Sequence, residues 1–307
     1  MLRDNLKKLI LSSRFLRNIY FKLLELYLTI FQNDEKYLKY RFKKRLKREL
    51  NLYNPILYND KIQWLKLYWR DPLANTVADK YNVRKYVSDK IGEQYLNNLI
   101  NVFDSVDEIN IEKLPEKFVL KTTHDSGTIV ICRDKSKFNW QKSKRFLKDR
   151  MSRKYYLLKK EYVYKGIIPR IICEEYLEQD DSNELRDYRF FCFNGEPKFI
   201  AVDLNITNKD KTRRNLYDLN WNLMREKISY PQELKIKIEK PEKLNEMIEL
   251  SKKLSSNFPH CRVDFYYINR KIIFGEITFF HQSGMGVIEP KEFEEKMGNW
   301  LKINTTI

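Results

Sequence analysis

The segment 262–278 constrains the fold of this chain more than any other stretch, and it reads RVDFYYINRKIIFGEIT. Two runs rich in β-branched and aromatic residues flank the turn Asn269-Arg270, a pattern that predicts an antiparallel hairpin. Side chains alternate between the two faces of a strand. We therefore expect Arg262 and Asp264 to share one face, with Glu276 on the neighbouring strand.

Two carboxylates beside a guanidinium are a combination that suits a divalent metal and a phosphate. Carboxylate oxygens are hard ligands for Mg²⁺, and the planar guanidinium of Arg262 matches the geometry of a phosphate. The same residues would also form a cross-strand ion pair on an ordinary surface hairpin. The hairpin by itself leaves both interpretations open.

The composition favours a globular protein with anionic partners. The chain has 307 residues, of which 42% are hydrophobic and 14% aromatic, and one to three domains are possible. Its net charge is +17, which favours nucleotides, acidic polysaccharide or an anionic membrane face as partners. No DNA- or RNA-binding signature accompanies this charge, so nucleic acid is not expected as a partner.

The cysteines and histidines show no metal-site or disulfide pattern. Cys132, Cys173, Cys192 and Cys261 are widely separated inside apolar runs, and CxxC spacing is absent. The histidines at 124, 260 and 281 have no ligand spacing either. We expect reduced, buried cysteines in a cytosolic protein.

The N-terminal segment 6–31 reads LKKLILSSRFLRNIYFKLLELYLTIF. Apolar residues recur at three- and four-residue steps, which predicts an amphipathic helix with a basic face. Arg14, Arg17, Lys22 and Glu25 make it too charged for a membrane-spanning helix. Two placements are open: against the following helices of the chain, or peripherally on the anionic inner face of the membrane.

The order of the predicted elements indicates the fold class. Helical patterns cover the basic segment 1–50 and the segments 61–69 and 75–91. From Phe118 onward short β-type runs intervene, and the turn Asn194-Gly195 predicts a second hairpin. Hairpins mixed with helices predict an α+β protein built on antiparallel sheets. The predicted strands are 118–122, 129–132, 171–176, 188–193, 198–203, 216–218, 262–268 and 272–278, and the later predicted helices are 140–151 and 243–257.

A loop of small residues, 122–128, joins the first two of these strands. Backbone N–H groups of such a loop can converge on phosphate oxygens, while Lys121 at the strand end adds a point charge. An ordinary hairpin with a surface lysine would give the same pattern. The loop alone does not separate the two interpretations.

Acidic residues mark two further strands. Glu174 ends the apolar run at 171–174, where an unpaired carboxylate would be unfavourable, so an adenine amino group or a nearby lysine would serve as its partner. Further along, Asp187 and Arg189 lie two residues apart and so on one face of a strand. They could hold a ribose hydroxyl and a phosphate, or each other.

Taken in this order, the motifs resemble the ATP-grasp superfamily. The phrases ADKY at 78–81, DYRFFCFNGEPKFI at 187–200 and YDLNWN at 217–222 are similar to its TupA-like branch, which is associated with teichuronopeptide biosynthesis and bacterial surface-polysaccharide gene clusters. The resemblance covers 59–301. It implies an α+β ATP-grasp fold, in which two α+β lobes with antiparallel sheets sandwich Mg-ATP behind a helical N-terminal extension. The implied boundaries are 1–58 for the extension, 59–117 for a helical region before the lobes, 118–180 for the small lobe and 181–307 for the large lobe.

The resemblance also implies roles for individual residues. The implied nucleotide-binding residues are Lys80, Lys121, His124, Ser126, Gly127, Glu174, Glu175, Tyr176, Leu177, Asp187 and Arg189. The implied ligands of Mg²⁺ are Asp264, Glu276 and Thr278, and the implied catalytic residues are Arg262, Ser283 and Gly284. Two positions depart from the superfamily pattern: Thr278 stands where many members have a metal-ligating Asn, and Asp125 places an acid in the loop expected to cover the phosphates.

The function implied by the resemblance is that of an ATP-dependent carboxylate–amine ligase. Such an enzyme phosphorylates a carboxylate with Mg-ATP and forms an amide from the acyl-phosphate. The branch implies a surface or capsular polysaccharide, or its precursor, as the acceptor, for example a uronic acid that receives an amino acid. A glycosyltransferase of the same pathway and a non-catalytic nucleotide-binding module are the alternatives from other classes.

Overall fold

The computed structural model describes residues 13–30, 33–178, 186–204 and 212–304. The helices are α1 (Arg14–Ile30), α2 (Asp34–Leu46), α3 (Tyr58–Tyr68), α4 (Pro72–Ala78), α5 (Val83–Ile91), α6 (Trp140–Met151), α7 (Tyr155–Lys159), α8 (Leu244–Ser255) and α9 (Lys291–Trp300). The strands are β1 (Leu99–Phe103), β2 (Phe118–Thr122), β3 (Ile129–Cys132), β4 (Ile171–Glu175), β5 (Asp187–Phe193), β6 (Glu196–Leu204), β7 (Arg213–Tyr217), β8 (Lys227–Ile228), β9 (His260–Ile268), β10 (Lys271–Thr278) and β11 (Ile288–Glu289).

The strands form two main antiparallel sheets. The smaller sheet has the order β1-β4-β2-β3, and the larger has the order β10-β9-β5-β6-β7. Strands β8 and β11 form a separate two-stranded ribbon. The expected α+β architecture with antiparallel sheets is confirmed.

Both predicted hairpins are present, and their turns have the backbone that the sequence favours. Asn194 and Gly195 have φ values of 49° and 81°, and Asn269 and Arg270 have 48° and 60°. Positive φ at both central residues matches the twist of the flanking strands. Gly195 is also required sterically, because a Cβ there would lie 3.2 Å from the Cα of Ser256.

Each main sheet has its own apolar core. The core of the smaller sheet includes Phe118, Leu120 and Ile171 with Leu147 of α6. The core of the larger sheet is more extensive and joins its strands to α3, α5 and α8. The four cysteines are buried and unpaired, as expected.

The helical pattern at 75–91 is interrupted where it was expected to be continuous. Helix α4 ends at Ala78, and the carboxylate of Asp79 accepts hydrogen bonds from the backbone N–H groups of Tyr81 and Asn82 at 2.7 and 3.2 Å. These bonds replace the helical ones, so α5 begins again at Val83. The break places Lys80 between the helices.

Strand β1 was not among the predicted strands. It pairs with β4, although it lies before residue 118, where the small lobe was expected to begin. The pairing has a bulge between Leu99 and Asn101, and only Phe103 of the strand is buried. Because only one residue of this short strand is buried, its sequence does not alternate between apolar and polar residues, and the pattern that predicts a strand is missing. The lobe boundaries themselves stay predictions.

Helix α1 packs against α7. The Glu25 carboxylate accepts a hydrogen bond from the backbone N–H of Lys154 at 3.2 Å, and Arg153 lies 4.3 Å from the ring centroid of Phe21. The opposite face of α1 is apolar and exposed to solvent, and it consists of Leu16, Ile19, Leu23, Leu26 and Tyr27. Residues 6–12 and 31 of the expected helix lie outside the described residues. Among the helices described, none combines the length and apolarity needed to cross a bilayer.

Candidate functional site

Three of the predicted nucleotide residues, Lys80, Lys121 and Glu174, line a cleft between the two main sheets. Glu276 of β10 lines the same cleft. Tyr164 and Phe274 contribute aromatic surface to the same pocket. The pocket is narrow, about 30 Å³.

Glu174 has two cationic partners in this cleft. Its carboxylate lies 2.6 Å from Nζ of Lys121 and 3.3 Å from Nη1 of Arg84. The lysine partner was one of the two predicted possibilities, whereas Arg84 was not singled out from the sequence. Of the residues that follow Glu174, Glu175 is exposed, and Tyr176 accepts a hydrogen bond from Nε of Arg133 at 2.9 Å. Leu177 is half-buried.

The small-residue loop adjoins Lys80, whose amino group donates to the backbone carbonyl of Asp125. Burial lowers the pKa of Lys80, while Asp125 and Glu276 act in the opposite direction. The carboxylate of Asp125 accepts from the hydroxyl groups of Thr122 and Thr128. It therefore stabilises the loop from within, which explains why an acid is tolerated there. His124 is buried, Gly127 has a φ of 87°, and Ser126 lines the neighbouring cavity.

The hairpin places Asp264 and Glu276 on neighbouring strands as predicted, and a bulge between Phe274 and Glu276 shifts the register by one residue. Glu276 pairs with Asp264, and Thr278 pairs with Arg262. The Arg262 guanidinium donates to Asp264 Oδ1 at 2.7 Å, to Glu276 Oε1 at 2.8 Å and to Thr278 Oγ1 at 3.2 Å. Arg262 and Asp264 are only 6% and 3% exposed, so this is not the ion pair of a surface hairpin.

The pKa values of the two carboxylates move in opposite directions. Burial raises the pKa of Asp264 to about 6, although Arg262 opposes the shift. Burial acts on Glu276 in the same sense, but Arg262 and Lys80 outweigh it and leave the pKa of Glu276 below its usual value. Asp264 is therefore the more easily protonated of the two carboxylates.

The charged face of the hairpin continues across the larger sheet. Arg189 donates to Asp187 at 2.6 Å and also to Asp203. Arg214 donates to Asp203 through Nε at 2.6 Å and Nη2 at 2.7 Å. Asp187 and Arg189 thus hold each other, one of the two arrangements considered. Sequence reasoning missed Asp203 and Arg214, although an acid near the end of the apolar run 199–204 is the signal that drew attention to Glu174.

A second cavity of about 600 Å³ continues from the hairpin. Its wall combines the predicted phosphate residues with a set of further charged groups. The charged and polar residues that line it are Ser126, Arg150, Lys159, Glu161, Arg189, Asp203, Arg214, Arg262, Glu276, Thr278, His281, Gln282 and Ser283. Gly284 instead lies against α3, where a Cβ would come within 2.4 Å of Ile62 and 2.5 Å of Gln63.

The hairpin residues can accept a magnesium ion that is shared with a phosphate. No group of three acidic, histidine or cysteine ligands converges anywhere in the described part of the chain. Magnesium usually takes one or two protein carboxylates, with phosphate and water oxygens completing its shell. Asp264, Glu276 and the Thr278 hydroxyl match that donor set. Because Arg262 already bonds to all three, a metal would compete with it for the same oxygens.

Comparison with known families identifies the chain. The model of the family described as TupA-like ATPgrasp matches residues 60–302. The chain belongs to the TupA-like ATP-grasp family. The sheets described above are accordingly the two lobes of an ATP-grasp fold. No protein of curated function matches the sequence.

Solved ATP-grasp structures are similar to the TupA-like chain only at low identity. The D-alanine–D-alanine ligase from Bacillus anthracis complexed with ATP is 16% identical, with a TM-score of 0.38, over 66% of this chain and 55% of that one. The Helicobacter pylori ligase is 12% identical, with a TM-score of 0.42, over 82% and 68%. The ligase PsnB, complexed with a precursor variant, Mg and ADP, is 8% identical, with a TM-score of 0.41, over 79% and 66%. The chain therefore spans little more than half the length of the Bacillus anthracis ligase.

Proposed function

We propose that this protein is an ATP-dependent carboxylate–amine ligase that acts on a bacterial surface or capsular polysaccharide, or on a precursor of one. The family membership supports the ligase class, and the branch to which the motifs belong supports the polysaccharide setting. The acid would be a uronic acid or a similar glycan carboxylate. The amine would be an amino acid, and the new bond an amide.

The observation that carries the proposal is the arrangement of charge in the cleft. Lys80 and Lys121 line the same pocket as Glu276, and Glu276 also lines the larger cavity with Arg262. A nucleotide held in the narrow pocket would extend its phosphates from the lysines toward the hairpin. Cations placed before the reaction begins stabilise the charge that develops during phosphoryl transfer.

Each group would have a separate task in such a reaction. Lys80 and Lys121 would neutralise phosphate oxygens, and Arg262 would orient the transferring phosphoryl group. Asp264 and Glu276, with the Thr278 hydroxyl, would hold magnesium, which would supply Lewis-acid polarisation of the phosphates. The lobes would exclude water around the acyl-phosphate.

We further propose that α1 binds the protein peripherally to the cytoplasmic face of an anionic membrane. The helix keeps an exposed apolar stripe on the side away from α7, and Leu23 in that stripe is 60% exposed. Lys22 is exposed beside it, and the chain as a whole carries a charge of +17. An apolar stripe with neighbouring cations is complementary to anionic lipid.

Nucleotide binding and turnover test the ligase proposal directly. Calorimetry with ATP and Mg²⁺ should show binding, and ADP release should depend on an added carboxylic acid and an amine. Binding without acid-dependent ADP release across uronic acids and their oligomers would favour a non-catalytic module. Absence of ATP binding would contradict the proposal.

A further inference from the structure

Two buried charged residues, Lys66 of α3 and Glu161, meet at the wall of the 600 Å³ cavity. Their exposed fractions are 2% and 4%. Nζ of Lys66 donates to Ser283 Oγ at 3.0 Å and to Gln63 Oε1 at 3.1 Å. The Ser283 hydroxyl acts on the Glu161 carboxylate and lowers its pKa, against the effect of burial. Both Glu161 and Ser283 face the cavity.

Burial of these charges is unfavourable for the fold. Removal of one ion from water carries a penalty of roughly several kcal/mol, and an apolar pair of similar volume is often as stable or more so. Lys66 and Glu161 attract each other, but they form no salt bridge that would offset most of the penalty. Burial lowers the pKa of Lys66 to about 7 and raises that of Glu161. A ligand in the cavity is the simplest reason to keep such a pair.

The backbone that presents Ser283 is strained and held by α3. Gln282, Ser283 and Gly284 have φ values of 48°, 60° and 62° in succession. Non-glycine residues in this region carry a strain of about 1–3 kcal/mol each and persist where surrounding contacts over-determine them. Nε2 of Gln63 supplies such contacts, donating to the carbonyls of Ser283 and Gly284 at 2.9 and 2.7 Å.

Positively charged side chains also line the same cavity. Arg150 and Lys159 line it, and neither forms a salt bridge with a residue that the structure describes. Glu161 and two cations that have no salt bridge, on the wall of one cavity, are complementary to a molecule that carries both an ammonium and a carboxylate group. An α-amino acid has this combination.

We propose that Glu161 binds the ammonium group of an α-amino-acid substrate and accepts its proton, that Arg150 and Lys159 bind its carboxylate, and that Ser283 and Lys66 position Glu161. This inference rests on the proposed ligase function. In the step concerned, the C–N bond forms and the acyl C–O bond to phosphate breaks. Of the two protons that the ammonium nitrogen loses, one goes to Glu161 and the other leaves with the phosphate as HPO₄²⁻.

The test compares two nucleophiles with the same acid, D-glucuronic acid or its oligomers. Hydroxylamine is uncharged at neutral pH and needs neither an ammonium subsite nor a base, whereas a mixture of amino acids needs both. Glu161→Gln should lower amino-acid-dependent ADP release about 100-fold or more, the low end of general-base contributions. Hydroxylamine-dependent ADP release should change little. Lys66→Met should also lower amino-acid-dependent ADP release more than hydroxylamine-dependent ADP release, but by a smaller factor than Glu161→Gln.

The outcomes separate this inference from the proposed function. If Glu161→Gln lost ADP release equally with both nucleophiles, or with neither, the role of Glu161 would be overturned. The ligase function would remain intact. A wild-type protein that neither binds ATP nor releases ADP would contradict the ligase function, and the inference with it. Glu294→Gln is the matched control, because Glu294 is buried and ion-paired with Arg48 outside this cavity.

A second measurement needs no substrate. If the charges serve a ligand, the double variant Lys66→Met/Glu161→Leu should unfold at the same temperature as the wild type or higher, while each single change lowers it. A double variant destabilised by the sum of the single changes would show that the cluster is structural and would overturn the inference.

Discussion

Asp264 and Glu276 are direct cross-strand partners in the β9–β10 ladder, and one guanidinium, that of Arg262, bonds to both. Glu276 and Arg262 of this group line the 600 Å³ cavity, and Arg189 lies 3.7 Å from Asp264 as a further cation. A magnesium ion carried by a nucleotide would have to take carboxylate oxygens from these cations.

Glu276→Gln should leave the fold intact and lower ADP release by about two to three orders of magnitude, the scale observed when one preorganised charge is removed from an active site. The amide has the same shape but lacks the charge that would hold magnesium. Steady-state ADP release at saturating ATP measures the effect. Glu196→Gln, an exposed position at the start of β6, is the control. Unchanged turnover in Glu276→Gln would remove Glu276 from the metal site.

Lys121→Ala should weaken ATP binding by about 1–3 kcal/mol, typical of the loss of a charge-assisted hydrogen bond. Arg84 remains beside Glu174 in this variant, so the carboxylate keeps one partner. Calorimetry with Mg-ATP measures the affinity. Lys117→Ala removes a lysine of the same strand region that pairs with exposed Glu178, and it should bind like the wild type. Equal affinity of the Lys121 variant and the wild type would contradict the assignment.

The α1 helix should make membrane binding reversible and sensitive to salt, since each basic residue near an anionic surface contributes about 1 kcal/mol. Co-sedimentation with vesicles of equal parts phosphatidylcholine and phosphatidylglycerol measures it. Leu23→Asp/Leu26→Asp and a protein truncated to begin at Asn33 should both stay in the supernatant.

The control for that experiment is Ile168→Asp, an exposed apolar position outside α1 that should still sediment. A full-length protein that stays in the supernatant at low salt would disprove membrane docking. Self-association that disappears in the Leu23/Leu26 variant would assign the stripe to a second copy of the chain instead.

His260 should make the protein less stable in acid. Its ring is fully enclosed, with Nε2 2.9 Å from the Tyr58 hydroxyl and Nδ1 2.8 Å from the Cys192 carbonyl, and burial lowers its pKa to about 3. Below pH ~6.5 the unfolded chain gains a proton that the folded chain does not, so the free energy of unfolding falls by about 1.4 kcal/mol per pH unit.

Urea unfolding of His260→Gln between about pH 7 and 5 checks this prediction. Because the variant lacks one titrating group, its free energy of unfolding should depend on pH less steeply, by about one proton. Burial also lowers the pKa of His281, so some dependence should remain. A variant with the same slope as the wild type would show that His260 takes up its proton in the folded state.

Local sequence pattern was sufficient for much of the secondary structure and for the hairpin. Helix α6 has the predicted bounds, 140–151: the Asn139 side chain caps its start, and Trp140, Leu147 and Met151 share one face. The two-residue turn at Asn269-Arg270 set the register from Ile268–Lys271 to Phe265–Phe274, and a bulge between Phe274 and Glu276 then shifted the pairing by one residue and placed Glu276 opposite Asp264. In these cases the residues that decide the structure are near neighbours in the chain.

The charged groups that share the site were decided by tertiary structure. Arg214 meets Asp203 because β7 lies beside β6, and Lys66 meets Ser283 across 217 positions of the chain because α3 packs on the loop after β10. Alternation along a strand says which face a side chain takes, but not which strand or helix lies opposite. That choice depends on burial of the whole apolar core, and so the sequence alone could name Arg262 and Asp264 but not Lys66 or Glu161.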